Sequence, residues 1–211
     1  MPSISFHHRL SLAVLATAAL LGTPAAEAAK LKPQNLTQLI ADADQIVAGK
    51  VTRVTDGVSA NGLPYTEITI AVADSAKGEL RGGKNYTFRQ FGLLEPRKMS
   101  GGRVLVAVTP EGFPSWKEGE QMVAFLHRPA KRTGLQTTAG LAQGKLTMLN
   151  GRMTNEFNNR GLFDGVKIDD DLLSEKERAM LKSSGPVDAA TFIGLVGRAV
   201  SENWIVKGEM R

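Results

Sequence analysis

Cysteine is absent from this chain of 211 residues, and histidine occurs only three times. Without cysteine the chain cannot form a disulfide, a thiolate metal site, a thiol nucleophile or a lipid-attachment cysteine. His7 and His8 lie close to the amino terminus, which leaves His127 alone in the rest of the chain. A zinc site uses three or four ligands, mostly His and Cys, so the sequence predicts no metal site and no cofactor.

Signatures of catalysis are also scarce. The chain has no G-x-S-x-G motif and no glycine-rich phosphate loop of either common form. His127 has no recognisable nucleophile to activate, so we interpret it as a structural or surface residue. The acidic run 169–171 lacks the spacing of a calcium loop and is typical of a solvated loop. Paired carboxylates meet only in three dimensions, so a hydrolase stays an alternative.

The amino terminus has the three parts of a secretory signal peptide. His7 to Arg9 form a positive start, residues 10–22 are an apolar run, and Ala26-Glu27-Ala28 matches an A-x-A cleavage site. The run is shorter than the roughly 20 apolar residues of a membrane-spanning helix, although an uncleaved anchor is the alternative. We predict a signal peptide over residues 1–28, an exported protein in the periplasm or outside the cell, and no transmembrane segment after cleavage.

The composition favours a soluble, mainly β domain with a basic surface. Apolar residues make up 42%, and 22 glycines and nine prolines indicate many turns. The formal net charge of +5 favours an anionic partner, although solubility alone also explains it.

Alternating apolar and polar residues predict strands through the middle of the chain, between helical segments at its two ends. Gly49 lies inside the first strand and predicts a bulge or a sharp bend. Ser174 begins a capping box and Asp188 can cap a second helix. The predicted segments are a helix over 33–44, strands over 45–56, 65–75, 85–91 and 121–126, short strands over 134–138 and 145–149, a returning segment over 152–157, and helices over 174–183 and 188–203. Residues 103–109 are either a short apolar strand or an apolar loop insert.

The segments 43–51, 65–69, 77–78, 87–92, 119–126 and 140–145 together resemble a group of secreted bacterial β-barrel proteins. In strand order the pattern is similar to netrin-like modules of the OB type. The resemblance implies an OB-like small barrel of five to six or more antiparallel strands, with one amino-terminal and two carboxyl-terminal helices. The corresponding domains are a barrel over 29–165 and a helical extension over 166–211. Netrin-like protease inhibitors have a cysteine at the mature amino terminus, which this chain lacks.

Two groups of side chains are candidates for binding. A basic group, composed of two loops, forms an anion-binding surface if the loops converge. The loop 112–116 has aromatic side chains that either stack on a sugar, base or peptide or cover the open end of a barrel. The candidate residues are Arg97, Lys98, Arg103, Phe113, Trp116, His127, Arg128, Lys131 and Arg132.

The sequence therefore predicts an exported, non-enzymatic binding or accessory protein of the bacterial cell envelope. The expected partner is an anionic envelope component or another exported protein, and the pattern fixes neither the ligand nor the oligomeric state. A hydrolase of an envelope polymer and a protease inhibitor, by the netrin-like resemblance, are the alternatives.

Overall fold

The computed structural model describes residues 32–211, so the predicted signal peptide lies outside the described residues. The described part is mainly β, with a seven-stranded antiparallel sheet in the order β3-β2-β1-β6-β7-β8-β9 and a two-stranded sheet of β4 and β5. The strands are β1 Gln45–Val58, β2 Pro64–Lys77, β3 Asn85–Phe91, β4 Arg97–Lys98, β5 Val104–Leu105, β6 Gln121–Leu126, β7 Lys145–Leu149, β8 Arg152–Thr154 and β9 Val187–Asp188.

Three of the four α-helices begin at capping residues that the sequence supplies. Asn35 caps the first helix in a capping box with Gln38, and Ser174 caps the second in the predicted box with Glu177. Asp188 caps the third helix by accepting from the backbone N–H of Thr191. The helices are α1 Leu36–Asp42, α2 Glu175–Leu181, α3 Ala189–Ser201 and α4 Trp204–Lys207. The predicted helices near both ends are confirmed, and α4 is an addition.

The first two strands form a long hairpin because both alternate β-branched residues with polar ones. The register between them shifts at Gly49, which confirms the predicted irregularity. A Cβ atom added to Gly49 would lie 2.4 Å from the carbonyl oxygen of Ala71. The close approach of β2 therefore requires glycine at this position.

The two faces of the sheet bury different apolar clusters. One face, contributed by β1, β2, β3 and β6, packs on itself and on Trp116. The opposite face packs against α1 and the carboxyl-terminal helices, with Phe192 and Leu195 of α3 fully buried. Burying such a side chain contributes roughly 1.5–3 kcal/mol, so α3 holds the carboxyl-terminal region firmly on the sheet. This region, predicted as a helical extension, also adds β9 to the sheet beside β8.

No closed barrel is detected among the described strands. The predicted strand 134–138 instead makes isolated bridges on two sides, antiparallel from Thr138 to Leu126 of β6 and parallel from Leu135 to Arg89 of β3. The backbone N–H of Gln136 donates to the carbonyl oxygen of Arg89 at 2.7 Å. Within residues 32–211, no helix has the length and apolar character to cross a membrane.

Candidate binding surface

The predicted apolar segment 103–109 belongs to a hairpin that follows β3 in the chain and is bonded to the end of β1. We call residues 93–108 the basic hairpin. Leu93 and Val108 exchange two backbone hydrogen bonds of 2.8 and 3.0 Å at its base, and β4 pairs with β5 above them. Gly101 and Gly102 have φ of 82° and 76° in the connecting turn, where glycine is favoured. Of the two sequence-based alternatives, the insert describes this segment better than a core strand.

Asp56 of β1 anchors the basic hairpin. Its carboxylate accepts hydrogen bonds from the backbone N–H groups of Leu94 at 2.8 Å and Glu95 at 3.1 Å, and pairs with the guanidinium of Arg97. Burial opposes ionisation of Asp56, but the bonds from Arg97, Glu95 and Leu94 outweigh it and lower the pKa of the carboxyl. The charged carboxylate is therefore the stable form at neutral pH, and it holds the hairpin in one orientation.

The basic hairpin has two different faces. Arg97 lies directly opposite Leu105, and Lys98 directly opposite Val104. Opposite residues of an antiparallel pair share a face, so Arg97 and Leu105 face the body while Lys98 and Val104 face away from it. Leu105 is half-buried, and Arg97 reaches Asp56.

The exposed part of the hairpin combines valines with free cations. Val104 and Val106 are 55% and 68% exposed, and Val108, the bridge partner of buried Leu93, is 40% exposed. Lys98 and Arg103 are exposed, and neither forms an ion pair within the part of the chain that the structure describes. The basic hairpin has one acidic and three basic side chains, and Asp56 already neutralises Arg97.

The second basic group lies at the other end of β1. Arg128 pairs with Asp44, with 2.6 Å between Nε and Oδ1, and this hydrogen bond lowers the pKa of the Asp44 carboxyl. Lys131 and Arg132 are exposed in a turn closed by the hydrogen bond from the Gly134 N–H to the Ala130 carbonyl. His127 is half-buried, and its backbone N–H donates to the carbonyl oxygen of Thr137.

The structure places the two basic groups at opposite ends of β1. Asp44 immediately precedes this strand and Asp56 lies near its end. Twelve residues of strand span about 40 Å, so Asp44 and Asp56, which anchor the two loops, lie far apart in space. The basic hairpin therefore forms a surface of its own, and the exposed loop with Lys131 and Arg132 is a natural comparison for it.

The aromatic loop 112–116 faces inwards rather than outwards. Trp116 is only 7% exposed and packs edge-on against Phe88, with 5.3 Å between the ring centroids. Its indole N–H donates to the side chain of Gln90 at 3.1 Å, and Phe113 is half-buried. The position of Trp116 matches the alternative in which the loop covers an apolar interior.

A buried ion pair holds this loop, and the sequence reasoning missed it. The ammonium of Lys145 lies 2.6 Å from the carboxylate of Glu120, donates to the Ser115 carbonyl at 2.5 Å and sits 5.0 Å from the centre of the Trp116 ring. Burial lowers the pKa of Lys145, and the hydrogen bond that its ammonium donates to Glu120 opposes this effect. The only sequence signal was a charged residue directly before β6 and another at the start of β7.

Compared with protein-family models, curated proteins and solved structures, the chain matches none. Within residues 32–211, no group of three or more His, Asp or Glu side chains is arranged to hold a metal ion.

Proposed function

We propose that the chain is an exported, non-enzymatic binding or accessory protein of the bacterial cell envelope, and that its basic hairpin holds an anionic partner. The observation that carries this proposal is the exposure of the basic hairpin, where Lys98 and Arg103 lie free close to exposed valines. The anchor at Asp56 supports it, because a surface fixed in advance loses less conformational entropy on binding. Export rests on the signal-peptide pattern of residues 1–28.

We also propose that the sheet curves into the OB-like barrel that the sequence resemblance implies. The segment 135–138 contacts both β3 and β6, and thus joins two strands that are separated by β2 and β1 in the sheet. The apolar cluster shared by β1, β2, β3 and β6 is the expected interior of such a barrel. Small barrels of this type bind partners on a face or through loops, which agrees with a binding surface on an inserted hairpin.

The experiment is a pull-down from fractionated envelope extract with residues 29–211, at low and at high salt. The test variant reverses both free cations of the basic hairpin, Lys98→Glu with Arg103→Glu. The matched control, Lys131→Glu with Arg132→Glu, makes the same change of charge on the other exposed loop. Exposed charges are screened over about 10 Å at 0.1 M salt, so an electrostatic complex should weaken as salt rises.

We expect the test variant to lose an envelope component that the native chain and the control variant retain. Equal retention by all three chains would contradict the role of the basic hairpin. Turnover of an envelope polymer by the mature chain would contradict the non-enzymatic assignment and favour the hydrolase.

A further inference from the structure

The basic hairpin is a convex projection and not a groove. Residues 94–98 and 100–104 are exposed along almost their whole length, as are 106–109. The hairpin touches the body mainly through Leu93, which is 2% exposed, and through the Asp56 anchor. A partner that covers the valines of the hairpin must therefore surround the hairpin or let it sink into the partner's own surface.

A cation and a valine share the outer face of the hairpin. Lys98 is the cross-strand neighbour of Val104, and Arg103 directly precedes Val104 at the turn, where it is exposed. A hydrated anionic polymer would pair with the two cations but would leave Val104 and Val106 in water. An interface that places phosphate groups beside hydrocarbon satisfies both kinds of side chain at once.

We propose that the basic hairpin docks on an anionic lipid bilayer, with Val104 and Val106 at the acyl boundary and Lys98 and Arg103 at the headgroup phosphates. This inference rests on the proposed function and names its ligand. Long basic side chains extend to the phosphates while their stems lie along apolar surface, which suits the mixed outer face. The inward-facing Arg97 remains with Asp56 and keeps the hairpin upright.

The choice of lipid over an acidic protein follows from the shape. A lipid surface adapts to an exposed hairpin of any shape, whereas a protein partner needs a complementary concave site. Each basic side chain near an anionic membrane favours binding about fivefold, so two of them supply about 25-fold. A charge contribution of this size needs the valines in addition to give stable attachment.

The first test measures co-sedimentation of residues 29–211 with vesicles of phosphatidylglycerol and with vesicles of phosphatidylcholine. We expect binding to the anionic vesicles, lowered about 25-fold by Lys98→Gln with Arg103→Gln and little changed by Lys131→Gln with Arg132→Gln. The pair Val104→Ser and Val106→Ser, on the same exposed face, should lower it about tenfold while the charge stays the same.

The second test asks whether the exposed valines of the basic hairpin enter the bilayer. Val106→Trp places an indole at the most exposed valine of the hairpin, 68% exposed. The native Trp116 and Trp204, 7% and 0% exposed, provide a constant buried background. We expect a blue shift of the added fluorescence with phosphatidylglycerol vesicles and none with phosphatidylcholine vesicles. Circular dichroism melts confirm that each variant folds as the native chain does.

The outcomes separate this inference from the proposed function. Binding to a lipid-free acidic protein or polysaccharide fraction, with none to vesicles, would overturn the lipid assignment and leave the envelope-binding function standing. Sedimentation with vesicles but no blue shift of the Val106→Trp variant would overturn insertion of the valines. No retention by any envelope fraction or vesicle would overturn both.

Discussion

At the scale of single residues, Asp56 has the largest consequence for the proposed surface. The Asp56→Asn substitution removes the charge that Arg97 and the backbone N–H groups of Leu94 and Glu95 share. We expect the free energy of unfolding to fall by about 1.5–3 kcal/mol, because a hydrogen bond to a charged group contributes about this much. Hydrogen exchange at the amides of Leu94 and Glu95 should accelerate. Asp171→Asn, at an exposed acidic position, is the control and should change neither quantity.

The same carboxylate makes the anchor dependent on pH. The folded pKa of Asp56 is lowered, so its contribution to stability is present above the unfolded value of about 3.9 and is lost as pH falls through the folded pKa. Exchange at Leu94 should therefore be constant between neutral pH and about pH 5, once corrected for intrinsic rates, and increase only in stronger acid. A protection change centred near neutral pH would show that another group controls the hairpin.

Removing one partner of the buried pair of Lys145 and Glu120 should destabilise the fold more than replacing both partners does. Lys145→Met leaves the Glu120 carboxylate, 12% exposed, without its cation, and should lower the free energy of unfolding by about 3 kcal/mol. Replacing both partners, Lys145→Met with Glu120→Leu, should recover most of this loss. Urea unfolding of Lys145→Met, Glu120→Leu and the double variant gives the coupling free energy between the two side chains. Additive losses would mean that the pair does not act as a unit.

At the scale of elements, Gly49 tests the close approach of β1 and β2. In Gly49→Ala the new Cβ would lie 2.4 Å from the Ala71 carbonyl oxygen, so the strands must separate. We expect a loss of about 1–3 kcal/mol in thermal unfolding. Gly194→Ala is the matched control and should raise the stability. The side chain has open space at this position of α3, and alanine favours a helix over glycine by roughly 1 kcal/mol. Equal effects of the two substitutions would contradict the close contact.

The sequence predicted the elements whose pattern is local. Alternation predicted β1, β2 and β3, an apolar run predicted β6, and the capping residues Ser174 and Asp188 predicted the starts of α2 and α3. It did not show that the three valines of 103–109 are exposed, because a short, almost wholly apolar run is also typical of a buried strand. Their exposure depends on how Asp56 holds the hairpin. Asp56 accepts a hydrogen bond from Leu94, which lies 38 residues away in the sequence.

At the scale of the whole molecule, the sequence could name the candidate residues but not group them. Arg97, Lys98 and Arg103 belong to one end of β1, and Arg128, Lys131 and Arg132 to the other, because two different aspartates anchor the two loops. The burial of Trp116 depends on Gln90 and Lys145, which come from different strands. Such arrangements arise from long-range packing, and residue spacing along the chain does not reveal them.

The most direct test of the central claim is the salt dependence of envelope binding by residues 29–211. Binding that depends on free cations weakens as counterions compete, so the logarithm of the binding constant should fall with the logarithm of salt concentration. We predict that Lys98→Gln with Arg103→Gln flattens this slope, while Lys131→Gln with Arg132→Gln leaves it nearly unchanged. Equal slopes for the native chain and both variants would contradict the assignment of binding to the basic hairpin.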